Sequence, residues 1–304
     1  MKLTSIIFFY VFAFSIHAFA QEQRPRLPAN SKELALRIAS ERERIVSYTM
    51  EATIDEKFRT KGETAWKQKP NRDSLKRYME YSKIDDHFVT AVKNSRQMQK
   101  DFRGWLIVGR ARDLFMRGSS NGMIGFQEYI EGKHANEYLE YFDPRSTGFL
   151  FCGNWTIGEG SRFETIISTL SHPQISEKAI IVRDRNGLIE MSNNAILFTR
   201  EKLVVDDLRG YWPVSFERFS DDSSKPNSKT WTKVRTEVSL NKIDGSFLPN
   251  LAQMFCENAL GEERYFMVTL DWQEVNKPLS SGKEGVERLA KKYECSVVDL
   301  REQK

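Results

Sequence analysis

The sequence predicts an α+β fold built on a curved antiparallel β-sheet, a half-barrel, with a few helices covering its concave face. Three observations carry this. About ten short runs alternate apolar and polar residues with a period of two. The pairs Asn121-Gly122, Asn186-Gly187 and Asp244-Gly245 fall between such runs and are hairpin turn signals, which favours antiparallel neighbours. About three segments carry a helical period with capping residues.

The chain opens with a leader. Lys2 is followed by an apolar run, Ser5 to Ile16, too short to span a bilayer, and Ala18-Phe19-Ala20 forms a small-x-small cleavage site. Residues 1–20 are expected to be a signal peptide cleaved near Ala20, which places the mature protein in the periplasm or outside the cell. Residues 21–30 are expected to be a mobile lead-in. Residues 31–304 are expected to form a single β-rich domain with a C-terminal helix, because no long Pro/Gly/Ser linker divides them.

Asn30, with Glu33 three residues on, starts a helix that carries Leu34, Ile38 and Ile45. The period then switches to two, with Tyr48, Met50, Ala52 and Ile54 on one face. Lys57 to Asp73 is polar. Strands are expected at Tyr78–Ile84, Phe88–Val92, Trp105–Val108, Leu114–Met116 and Glu137–Phe142. Ser161 and Glu164 form a capping box for a helix with Phe163, Ile166, Ile167 and Leu170, which Pro173 stops.

Ala179–Val182, Leu188–Met191, Ile196–Thr199 and Leu203–Val205 follow as strand runs. The chain turns at Asp206–Gly210 and returns through Trp212, Val214 and Phe216, which alternation puts on one face. Thr232 to Leu240 alternates over a long strand. Phe247–Pro249 begins a less regular return. Phe266, Val268, Leu270 and Trp272 form the last strand, and Ser281 with Glu284 caps a final helix with Val286, Leu289 and Tyr293.

Composition excludes several functions. The formal net charge of +4 falls by one with Lys2, and both signs are interspersed, so there is no basic stripe for nucleic acid. No second apolar run is long enough to make an integral membrane protein. Histidine is scarce: His87, His134 and His172 outside the leader, none at i, i+4 spacing, predict no metal site, and no cofactor motif is complete. Cys152, Cys256 and Cys295 allow one disulfide in three ways, or buried free thiols.

Catalytic patterns were each weighed against a plainer reading. Gly118-Ser119-Ser120-Asn121-Gly122 fits Gly-x-Ser-x-Gly, with Ser120, Asp143 and His172 in a possible triad order. That chemistry needs a strand-to-helix turn, and the run after Ser120 reads as a hairpin. Gly158-Glu159-Gly160 lacks the third glycine of a phosphate loop, and Glu159 would repel a phosphate. Asp85-Asp86-His87 is a lone cluster. Asp206-Asp207 reads as a pair of solvated turn formers. A non-catalytic protein is therefore expected.

The order of elements resembles the periplasmic lipoprotein-carrier (LolA/LolB-like) half-barrel superfamily. The residues that carry this are Glu33–Ile54, Asp143-Pro144-Arg145, the hairpin from Val205-Asp206 to Gly210-Tyr211-Trp212-Pro213, Gly245-Ser246-Phe247-Leu248-Pro249 and Trp272-Gln273-Glu274-Val275-Asn276. The chain is longer than the carriers, with extra sequence around Lys57–Asp73 and Arg96–Gly132. The resemblance implies an apolar concave face that binds a lipid, an acyl chain or a hydrophobic segment. Trp212, Val214, Phe216, Phe266, Leu270 and Trp272 are the expected lining. The partners it implies are lipid or lipoprotein acyl chains, or an envelope protein partner for a sensor module of the same fold.

Overall fold

The computed structural model describes residues 24–68, 75–93, 104–130, 144–149, 163–193, 199–220 and 231–303. The first element is helix α1 (Ser31–Glu43). The Asn30 side chain accepts from the Glu33 N–H at 2.9 Å, and the Glu33 carboxylate accepts from the Ala29 N–H at 2.7 Å. The chain then enters β1 (Ser47–Arg59), the one-faced strand of the sequence, with Met50, Ala52 and Ile54 buried.

The remaining strands before the middle helices are β2 (Lys67–Gln68), β3 (Leu75–Ser82), β4 (His87–Lys93), β5 (Trp105–Ala111), β6 (Leu114–Ser119) and β7 (Met123–Glu128). A 3-10 turn at Pro144–Ser146 precedes α2 (Phe163–Ser171) and α3 (Pro173–Ser176). Then come β8 (Ile180–Arg183), β9 (Ile189–Asn193), β10 (Thr199–Asp206) and β11 (Trp212–Ser220). The long strands β12 (Trp231–Ile243), β13 (Ser246–Asn258) and β14 (Glu263–Val275) lead to α4 (Gly282–Lys292) and β15 (Ser296–Asp299).

All strands join one 15-stranded sheet in the order β15-β7-β6-β5-β4-β3-β1-β14-β13-β12-β11-β10-β9-β8, with β2 on β1 off this path. Pairing is antiparallel except between β7 and β15. The path does not return on itself, so the sheet stays open, as the half-barrel reading expects. Its hinge in sequence is β1, which pairs along its whole length with β14, from Tyr48 opposite Val275 to Arg59 opposite Glu263.

Strand register separates two faces. On the inner face Met50 lies opposite both Met79 and Trp272, Ala52 opposite Leu270, and Ile54 opposite Val268. Helices α1 and α2 cover one flank of that face. Leu34, Ala35, Ile38, Phe163, Ile166 and Leu170 pack on Ile189, Met191, Leu203, Val205 and Phe216. Helix α4 takes the opposite face. Its Val286, Leu289 and Ala290 pack with Tyr78, Val89, Ala91, Ile107 and Phe126, residues one step out of phase with Met79. The cause is that β4 is apolar on both sides: Val89, Ala91 and Val92 are all 0% exposed, so this part of the sheet needs cover on each face.

Several local expectations differ from the structure. Pro173 does not merely stop a helix; it is the first residue of α3, whose N-cap is His172. Ser281 makes no side-chain cap bond, and Glu284 accepts instead from the Ser280 hydroxyl at 3.3 Å. Ile84 is 80% exposed in the turn after β3 rather than inside the strand. The strand at Phe266–Trp272 is followed by a further one, β15, which pairs parallel with β7 after α4 carries the chain across. The expected strand at Glu137–Phe142, residues 196–198 of the one expected at Ile196–Thr199, the cap at Ser161 and the leader lie outside the described residues, and Thr199 opens β10.

The three cysteines divide. Cys256, wholly buried on the inner face of β13, is disulfide-bonded. Cys295 is a free thiol directed at the Ser119 and Tyr293 carbonyls. Both pairings that use Cys295 therefore fall. Unfolded, unreduced protein is expected to react with a thiol reagent at one cysteine per chain and at three after reduction; three before reduction would disprove the bridge.

Candidate functional site

The inner face of the central strands is the largest concentration of apolar side chains in the molecule. Its floor is Met50, Ala52 and Ile54 of β1, Phe266, Val268, Leu270 and Trp272 of β14, and Ala252 and Met254 of β13, each at most 5% exposed. Two indoles stand on it, and both are oriented from one short stretch. Trp212 donates its ring N–H to the Phe247 carbonyl at 2.5 Å, and Trp272 donates to the Pro249 carbonyl at 2.7 Å. The irregular Gly245–Pro249 step thus supplies acceptors for two buried donors.

Four of the six expected lining residues come together here: Trp212, Phe266, Leu270 and Trp272. Phe216 is buried in the neighbouring cluster under α1 and α2. Val214 does not join them. A β-bulge pairs Val204 with Ser215 and Val205 with Pro213, which leaves Val214 unpaired. It is half-buried and lines a groove of about 370 Å³ beside Arg235, Glu237, Ser239 and Gln253, on the outer face. Simple alternation placed it inside, and one extra residue in the strand moved it.

Other members were missed by sequence reasoning. Tyr48 meets Trp272 edge-on and stacks on Tyr81, each at 5.3 Å between ring centroids. Arg42 of α1 is 1% exposed. Its guanidinium lies 3.3 Å over the Trp212 ring and donates to the Gly210 and Tyr211 carbonyls at 2.6 and 3.1 Å. Nothing in Glu41-Arg42-Glu43-Arg44 distinguishes Arg42 from its neighbours. Arg145, near the 3-10 turn, sits 5.4 Å from the Tyr81 ring and 5.3 Å from the Phe163 ring. Three residues on, Gly148 at φ +87° lies against the inner face. A Cβ there would come within 2.7 Å of Val238 and 2.9 Å of Pro213, so the contact needs glycine twice over.

The second concentration of chemistry is on the outer face under α4. Glu80 is fully buried and accepts from both guanidinium nitrogens of Arg288 at 2.5 Å and from the Tyr78 hydroxyl at 2.5 Å. His87 Nε2 lies 2.9 Å from its other side. Burial alone would raise the Glu80 pKa. The hydrogen bonds from Arg288 and His87 oppose it and hold the carboxyl well below the usual range. The carboxylate is closed to solvent while Arg288 is partly exposed, and the pair bolts α4 to β3 and β4.

The remaining candidates resolve into structural roles. Ser120 sits in the β6–β7 hairpin, where its hydroxyl accepts from the Trp105 N–H at 2.8 Å. A Cβ on Gly118 would meet the Met123 carbonyl at 2.4 Å, so that glycine serves strand packing. The context is strand-turn-strand. Asp85 pairs with Ser82 and Arg112, Asp86 with Arg110, and His87 with Glu80, so the three diverge. Asp143, His134 and Gly158–Gly160 lie outside the described residues. Among the described residues no helix is long and apolar enough to cross a membrane.

Asp206 and Asp207 are not solvated turn formers. Asp206 caps the Leu208 N–H at 3.1 Å. The Asp207 side chain is wholly buried and accepts from Arg183 at 2.8 Å and Arg24 at 3.2 Å. Arg183 also donates to the Pro25 carbonyl at 2.9 Å, so the lead-in from Arg24 is held against the β8–β9 hairpin. Asp207→Ala is expected to lower stability by about 2 kcal/mol and to expose the lead-in to limited proteolysis. Unchanged denaturation and cleavage would show the grip to be unimportant.

No family model matches this chain, and no curated protein matches it. Among solved structures it is similar to a LolA superfamily protein of Nitrosomonas europaea, at 10% identity and a TM-score of 0.35, over 83% of this chain and 96% of that one. It is also similar to a DUF1329 family protein of Desulfovibrio piger, at 12% identity and a TM-score of 0.35, over 86% and 97%. The geometry of the inner face rests on the strand registers, not on that likeness.

Proposed function

We propose that this is an exported, non-catalytic protein that binds a lipid, an acyl chain or a hydrophobic segment against the inner face of its sheet. One observation carries the reading. The inner face is mostly apolar across β12, β13, β14 and β1, with Thr236 buried in it, while α1 and α2 lie chiefly over β9–β11 and α4 lies on the opposite face. Among the described residues, α1 reaches this face through Arg42 at Trp212, and the other cover is irregular chain, Pro144–Phe149, whose Gly148 meets Val238 and Pro213. Irregular cover has few backbone hydrogen bonds of its own to lose and opens at low free energy. Met50, Met79 and Met254 in the floor are flexible enough to re-pack around a chain of variable shape. The leader ending near Ala20 and the buried disulfide at Cys256 fit an oxidising compartment.

The test is native mass spectrometry of gently purified mature protein, followed by titration of the delipidated protein with a brominated fatty acid. The expected result is co-purifying acyl mass and quenching of tryptophan fluorescence, because Trp212 and Trp272 stand on the floor. An empty mass together with no quenching at saturating fatty acid would overturn the reading.

A further inference from the structure

The strand path ends at β8, which pairs on one side only among the described residues. Among the described residues no backbone hydrogen bond reaches its far side. Ile180 is 62% exposed and Val182 44% exposed. Both point to the outer face, opposite Ser192 and Glu190 of β9, which give them no apolar cover. Proteins usually blunt such an edge with a proline, a bulge or an inward charge. Residues 180–182 carry none of these, and the charge of Arg183 is taken up by Asp207. The other end of the sheet is treated differently: β15 runs into a 3-10 turn, Leu300–Gln303, whose Leu300 side chain lies over Gly125 of β7.

We propose that the β8 edge docks a second copy of this chain, two β8 strands pairing antiparallel about a two-fold axis at Ile181. The sheet of one subunit then continues into the next. The register follows from faces and charges. A two-fold axis perpendicular to the sheet keeps outer residues opposite outer residues, so one-residue slips are excluded. Centred on Ile181, Ile180 of each copy meets Val182 of the other, and the two exposed pairs form one apolar cluster. Outside it Lys178, just before β8, comes beside Asp184, just after it. This flanking pair is of opposite sign, and Lys178 is exposed. Moving the centre to Ile180 sets Lys178 against Val182, and moving it to Val182 sets Ile180 against Asp184. Only the Ile181 register satisfies both the apolar and the charged positions. The ladder is short, so the dimer is weak, with a dissociation constant on the order of 10 µM.

The experiment is sedimentation velocity on the full mature chain from about 1 to 200 µM, paired with cysteine trapping. The native chain is expected to shift from monomer to dimer across this range. Val182→Lys, at an exposed position, is expected to stay monomeric with an unchanged melting curve. Residue 181 meets its own copy at about 4.5–5.5 Å between Cα atoms, a disulfide distance. Ile181→Cys in a Cys295→Ser background is therefore expected to form a covalent dimer under copper–phenanthroline, and Ala179→Cys, which faces Arg183, is not. A native chain that stays monomeric, or that dimerises equally well as Val182→Lys, overturns the proposal, as does failure of Ile181→Cys to cross-link. Monomer in every assay with β8 taken up by a strand of another protein counts against it too.

Discussion

Replacing Arg288 by alanine is expected to destabilise the protein by about 3–5 kcal/mol, the usual cost of stripping the partner from a buried charge. Glu80 would keep its buried place under α4 without its two-pronged donor. The Tyr78 hydroxyl and His87 remain, but neither supplies a permanent positive charge. The effect has a pH signature. The folded carboxyl titrates below its ordinary value of 4.5. A carboxylate whose pKa is depressed on folding adds stability in full above its unfolded value, and that stability is lost as pH falls through the folded value. Acid unfolding of the native chain should therefore set in below pH 4.5, and in Arg288→Ala the acid limb should move up. Arg288→Lys keeps the charge and loses the fork, and is expected to fall between the two. Urea denaturation at several pH values checks this. A variant as stable as the native chain at pH 7 would mean that α4 is held by its apolar face alone.

Trp272→Ala is the other large effect, about 3–5 kcal/mol from emptying a buried indole site. Trp272 is 5% exposed and touches Tyr48, and its N–H satisfies the Pro249 carbonyl. Trp272→Phe separates packing from hydrogen bonding. It retains most of the apolar area and is expected to cost about 1–2 kcal/mol for the lost bond. The two variants also bear on binding. If an acyl chain lies on the inner face, the alanine variant weakens fatty-acid affinity beyond its effect on the fraction folded, and the phenylalanine variant leaves affinity near native. Fluorescence titration under conditions where both variants are folded reads this directly. Equal affinities for all three proteins would place the ligand elsewhere.

Much of the fold was legible because a strand writes its orientation into every second residue. Tyr48, Met50, Ala52 and Ile54 named the inner face of β1, and Phe266 to Trp272 that of β14, without reference to any partner strand. Asp244-Gly245 announced its hairpin, and both residues have positive φ, 46° and 85°. Four of the six expected lining residues met on one floor for the same reason.

Val214 was misplaced because a bulge depends on the neighbouring strand, and nothing in Trp212 to Phe216 marks it. Strand β4 did carry a signal for cover on both faces, its run from Phe88 to Val92 with Thr90 as the one polar residue, but that run does not say which helix arrives. Arg42 over Trp212 and Asp207 between Arg24 and Arg183 join residues far apart in sequence, and their charges read locally as solvated.

The sequence by itself determined the sheet, its turns and the apolar character of its inner face, since these follow from backbone periodicity and from short-range sterics at glycine and asparagine. Only the tertiary structure decided that α4 lies on the outer face, that Glu80 is buried with Arg288, that Cys256 rather than Cys295 is in a disulfide, and that β8 ends the strand path among the described residues. Each of these turns on which distant segments share space and exclude water, a relation that no local period records.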